Sequence, residues 1–139
     1  MRAIPAVMAA YLVLVQPAAA QMVDAAVPQS VVAAMQDWGM AAKLGATDGG
    51  RAVIDSKLNG INFSVHFYSC DDTEANCESV SLEAVFTLNE GFTVDQANAW
   101  NSDNRFASAY RRDDGAAVLY YDVNLYGGVS AANFESTLG

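Results

Sequence analysis

The chain contains one histidine, His66, and ordinary acid–base or nucleophilic chemistry would have to run through it. His66 stands two residues after Ser64, and residues two apart in an extended strand point to the same side. That spacing puts a hydroxyl beside an imidazole. A catalytic triad also needs an acid converging on the pair, and a hydrolase of the common α/β kind needs a G-x-S-x-G turn to present its nucleophile. The chain has no such turn. The competing reading of His66 is a solvated side chain on the wet face of a strand.

Carboxylates are the next candidates. Asp71, Asp72 and Glu74 fall together between two cysteines, and Asp113 and Asp114 fall in a later turn. Clustered carboxylates bind calcium, but neither run has the D-x-D-x-D-G-x5-E spacing of an EF-hand, so no metal site and no cofactor are predicted. Asp95, Asn98, Ser102 and Arg105 recur at helical spacing and would share one stripe if a helix continued through them. Asn98, Asn101 and Arg105 are the candidate binding group, offering amides and a guanidinium to a carboxylate or a peptide. The alternative is that Asn101 and Arg105 tie the helix end to neighbouring backbone and to acids such as Asp122.

These residues must be positioned by elements that the pattern itself outlines. Val31, Met35 and Trp38 predict an amphipathic helix over Val27–Trp38, with Pro28 early and Gly39 just beyond. The period then changes to two: a short strand at Met40–Leu44, a turn at Thr47–Gly50, and a strand from Arg51 to Leu58. Asn59-Gly60 is a strong hairpin signal. It leads into Ile61, Phe63, Val65 and Phe67, which alternate with mostly polar neighbours, and Val80, Leu82, Ala84 and Phe86 repeat that two-faced pattern after the cysteines. Thr93 and Gln96 form a capping box for a helix from about Val94 to Asn104. Phe106–Arg112 and Ala117–Leu125 flank the turn Asp113-Asp114-Gly115 as two more strands. Ser130 caps a last helix, with Val129 and Phe134 as its hydrophobic staple. The fold class is α+β, an antiparallel sheet of five to six strands with helices on one face.

The first twenty residues have Arg2, an apolar stretch from Ala6 to Val15, and small residues at Ala18 and Ala20. This is the pattern of a secretory signal peptide cleaved after Ala20, which leaves residues 21–139 as a single domain without a membrane span and directs it to the periplasm or the exterior. The chain has 16 acidic and 7 basic side chains, a net charge of −9, and removal of Arg2 makes the exported part more negative still. Such a surface repels phosphate backbones, which argues against nucleic acid. Export also places Cys70 and Cys77 in an oxidising compartment, where an even count reads as one disulfide. The C-x6-C spacing is not the C-x-x-C of a redox pair, and His66 alone cannot complete a zinc site.

From Gly60 onward the order of features resembles the YbjN domain family of bacteria. The matching pieces are VHFYSC at Val65–Cys70, CESVSLEAVF from Cys77, ANAWNSDNRFASAY from Ala97, RDDGA from Arg112, and YDVNLYGGV from Tyr121. The paired Asn around Trp100 and the Gly127-Gly128 doublet are the more specific of these. The resemblance implies a fold similar to type III secretion chaperones and a sensory or regulatory role, with no catalytic residues to carry over. It also implies a longer final helix, so the domain is expected either to be cut short there or to be covered there by something else.

The leading expectation is an exported, non-enzymatic binding or regulatory module with a protein partner. The alternatives are a small hydrolase or metal-dependent enzyme using His66 or the acidic loops, and a structural component of an envelope assembly with Tyr120 and Tyr126 as anchors. Two and a half helices over five or six strands leave apolar surface exposed near the C-terminus, and a homodimer would hide it.

Overall fold

Asn59 and Gly60 have φ of 50° and 88°, the left-handed pair that a two-residue type I′ turn requires. They join β3 (Ala52–Leu58) to β4 (Ile61–Tyr68), with Leu58 opposite Ile61 and Val53 opposite His66. The computed structural model describes residues 21–138; the predicted export signal lies outside the described residues. Ahead of this hairpin come β1 (Met22–Val23), α1 (Pro28–Asp37) and β2 (Ala41–Ala46). Behind it follow β5 (Ser79–Phe86), α2 (Val94–Asp103), β6 (Ser108–Arg111), β7 (Ala117–Asn124), β8 (Val129–Ser130) and α3 (Ala131–Leu138).

Six strands form one antiparallel sheet in the order β2-β3-β4-β5-β7-β6. The expected α+β class, with an antiparallel sheet, is what the chain adopts. Because strand side chains alternate, the register places Ile54, Val65, Phe67, Val80, Leu82, Leu119 and Tyr121 on one face. His66, Tyr68, Ser81, Glu83, Tyr120 and Asp122 take the other.

The start of every helix and the end of α1 have a local cause. Pro28 opens α1 at its first turn, where its missing N–H is no loss. Gly39, at φ 85°, closes it in a Schellman arrangement: Met40 N–H donates to the Met35 carbonyl at 3.0 Å and Gly39 N–H to that of Gln36 at 2.9 Å. The capping box of α2 is complete, with the Gln96 amide nitrogen donating to Thr93 Oγ1 at 3.1 Å and Thr93 N–H donating to Gln96 Oε1 at 2.8 Å. Ser130 Oγ accepts from Asn133 N–H at 3.2 Å at the start of α3.

α1 and α3 pack together and with the first face of the sheet. Val31, Met35, Ile54, Val65, Phe67, Val80, Leu125 and Phe134 form the buried core. A separate two-stranded ladder pairs Val23 of β1 with Val129 of β8, bringing the start of the described chain beside α3. Strands this short carry no readable period, and nothing in the sequence pattern announced them. β7 lies between β5 and β6, so the short strand β6 becomes the sheet edge and α2 packs against it.

Candidate functional site

The candidate binding group is divided by the fold. α2 ends at Asp103, so Arg105 lies beyond it and the stripe from Asp95 stops short. Asn98 is exposed. The Asn101 side chain is hydrogen-bonded to Ala109 of β6, and the Arg105 guanidinium lies 4.9 Å over the Phe106 ring rather than near Asp122.

Other candidates are engaged locally. Ser64 Oγ donates to Asp55 Oδ1 at 3.1 Å, and no hydrogen bond among the described residues links it to His66. Cys70 and Cys77 are joined in a disulfide across the neck of the β4–β5 loop. Inside that loop the Asp71 carboxylate accepts from Thr73 Oγ1 at 2.6 Å, Asn76 Nδ2 at 2.6 Å, and the Thr73 and Ala75 amides at 2.9 and 3.1 Å. Those donors, Thr73 Oγ1 first, hold its pKa well below the usual carboxylate range. Glu74 pairs with Arg51 at 2.9 Å, and Asp114 with Arg112. Asp71 and Asp114 therefore organise their own turns, and among the described residues no group of three metal-ligating side chains converges.

Among the described residues, two concave surfaces bear most on ligand binding. The first is an apolar groove of about 260 Å³ on the helix face of the sheet, with Leu58, Ile61, Phe63, Leu82, Leu119 and Tyr121 along its strands and Leu138 of α3 at its rim. It exists because α1 packs toward β2 while α2 packs on β6, which leaves the middle strands between them. Ile61 is 48 % exposed here. This is the exposed apolar surface expected beside the final helix.

The second is a shallow concavity on the open face, lined by Tyr68, Ser79, Ser81, Glu83, Tyr110, Tyr120 and Asp122. Tyr68 Oη donates to Glu83 Oε1 at 3.1 Å, and partial burial followed by the Glu83 charge raises the phenol's pKa. Tyr110 meets Tyr120 edge to face at 5.8 Å. Alternation along each strand gives these strands a polar side, but only the strand order brings β4, β5, β7 and β6 side by side to form the cluster. The available signal was tyrosine recurring at polar positions of β4, β6 and β7.

Comparison with known proteins gives a family match and one fold likeness. The model of the YbjN family, described as "Putative bacterial sensory transduction regulator", matches residues 28–139. Among solved structures, the crystal structure of YbjN from E. coli, described there as "a putative transcription regulator", is similar with a TM-score of 0.54 and 13% sequence identity over 79% of each chain. At that identity the likeness is one of fold. No curated protein matches.

Proposed function

The chain belongs to the YbjN family, and from that membership we propose that it works as a non-enzymatic, protein-binding regulatory module of the cell envelope. The observation that carries this reading is the apolar groove: an uncovered apolar channel on the helix face of the sheet is what a partner's apolar side chains would fill. The chemistry-bearing residues support the same reading, because Ser64 is bonded to Asp55 of the neighbouring strand, Asp71 to its own turn and Glu74 to Arg51.

The envelope location is supported by the export pattern before Gln21 and by the Cys70–Cys77 bridge, which persists in oxidising compartments. Among the described residues no helix is long and apolar enough to cross a membrane. A net charge of −9 disfavours nucleic acid as the partner. A structural role in an envelope assembly is the second reading, favoured by Tyr126, which is 73 % exposed and offers an aromatic anchor.

A photo-crosslinking residue at Ile61, expressed in the native host, tests the proposal. One discrete adduct with another protein, lost on Leu82→Glu, supports it; an adduct of twice the chain's mass assigns the groove to a homodimer. Absence of any adduct from folded protein sinks the binding role of the groove.

A further inference from the structure

The open face of the sheet holds chemistry that the groove reading does not use. Across β5 and β7, Glu83 stands opposite Tyr120 and Ser81 opposite Asp122, so two carboxylates and a tyrosine share one face within about 8 Å of one another. Tyr68 and Tyr110 complete the concavity. Neither Glu83 nor Asp122 takes part in the ion pairs of the described residues. Tyr68 occupies only one oxygen of Glu83, which leaves three carboxylate oxygens for a donor. Ser81 lines the same concavity at 2 % exposure, and none of the side-chain hydrogen bonds of the described residues ends on its hydroxyl. That hydroxyl is not shut off from solvent, so it is open to a ligand in the concavity.

Two unpaired carboxylates flanked by tyrosine rings attract a cation, because the ring faces are the negative side of the aromatic quadrupole. The protein already shows which cation suits this face: the Arg51 guanidinium lies 5.8 Å over the Tyr68 ring, held there by its pair with Glu74 at 2.9 Å and so committed elsewhere. A guanidinium is planar, forks onto carboxylates and stacks on aromatic rings, whereas an ammonium is a compact, strongly hydrated charge. No Lys or Arg lines the concavity, and Arg51 beside it is paired with Glu74, so the α-carboxylate of free arginine would face Glu83 and Asp122 without a cation of its own. An arginine within a peptide has no such carboxylate. The net charge of −9 favours the approach of a basic segment.

We propose that Tyr68, Ser81, Glu83, Tyr110, Tyr120 and Asp122 form a site for an arginine side chain of a partner protein, on the face of the sheet opposite the apolar groove. Glu83 and Tyr120 also border the groove, but strand alternation puts their side chains on the opposite face, and Ser81 and Asp122 report on this site alone.

The experiment is an NMR titration of the ¹⁵N-labelled protein with an acetylated, amidated peptide carrying two arginines, with its lysine counterpart and free arginine as further arms. Saturable shifts at Ser81, Glu83, Tyr120 and Asp122 are expected, at least tenfold weaker in Glu83→Gln/Asp122→Asn. They should change less than twofold in Asp48→Asn/Asp95→Asn, which removes the same charge away from the concavity. The lysine peptide should bind several-fold more weakly, and free arginine more weakly still. Equal weakening by the two double variants, or no saturable shift, would overturn the site. Equal binding of the lysine peptide would overturn the guanidinium assignment, and equal or tighter binding of free arginine would overturn the peptide source.

Discussion

Ala109 N–H donates to Asn101 Oδ1 at 2.7 Å and Asn101 Nδ2 donates to the Ala109 carbonyl at 3.0 Å, so one side chain of α2 takes the position of a neighbouring strand at the exposed edge of β6. An edge strand presents unpaired backbone groups that invite association with another chain. Asn101 satisfies one such pair.

Ala109 is buried, so Asn101→Ala leaves its amide and carbonyl without partners. The expected cost is about 2 kcal/mol in urea unfolding, since each unsatisfied buried group costs roughly 1–3 kcal/mol. Asn101→Asp keeps the acceptor and should lose less. A change below about 0.5 kcal/mol for the alanine variant would mean that the edge does not need this residue and would restore its candidacy for ligand binding.

The disulfide closes the β4–β5 loop at its neck. Cys70→Ser is expected to lower stability by about 2 to 3 kcal/mol, and the native protein should resist thiol alkylation until it is reduced. Prompt labelling of both thiols without reductant would contradict the bridge.

Asp71 and Asp114 give a pH dependence with a definite sign. Hydrogen bonds depress both carboxyls, that of Asp71 strongly and that of Asp114 to about 2, chiefly through Arg112. A depressed folded-state pKa contributes stability that is present above the unfolded value and lost as pH falls toward the folded one. Acidification below about pH 4 should therefore loosen both turns. Amide exchange at Thr73 and Ala75, followed down the pH scale, should accelerate relative to the core, and Asp71→Asn should be fast already at neutral pH. Exchange at Thr73 that is unaffected by Asp71→Asn would refute this account of the loop.

Ser56 lies on the helix face of β3, 8 % exposed, with its hydroxyl unpartnered. Removing an unsatisfied buried hydroxyl takes away a desolvation cost without taking away a bond. Ser56→Ala should raise stability by about 1 kcal/mol, read by the shift in denaturation midpoint at constant slope. A loss of stability would show that the hydroxyl has a partner after all.

What the sequence determined by itself was the set of elements whose causes lie within a few residues. Pro28 and Gly39 bound α1, Asn59-Gly60 makes the hairpin, Thr93 and Gln96 start α2, and Ser130 starts α3; each is a backbone conformation or a cap fixed by neighbouring side chains. The alternation of Ile61, Phe63, Val65 and Phe67 likewise fixed which side of β4 is apolar. Tertiary structure alone decided that β7 inserts between β5 and β6, that Val23 pairs with Val129, and that Asn101 reaches Ala109. It alone brought Tyr68 and Tyr110 to the same concavity as Glu83 and Asp122. Backbone hydrogen bonds are the same for every residue but proline, so the choice of strand partner is set by which apolar faces and helices can be buried together. That is a property of the whole chain, and no window of the sequence contains it.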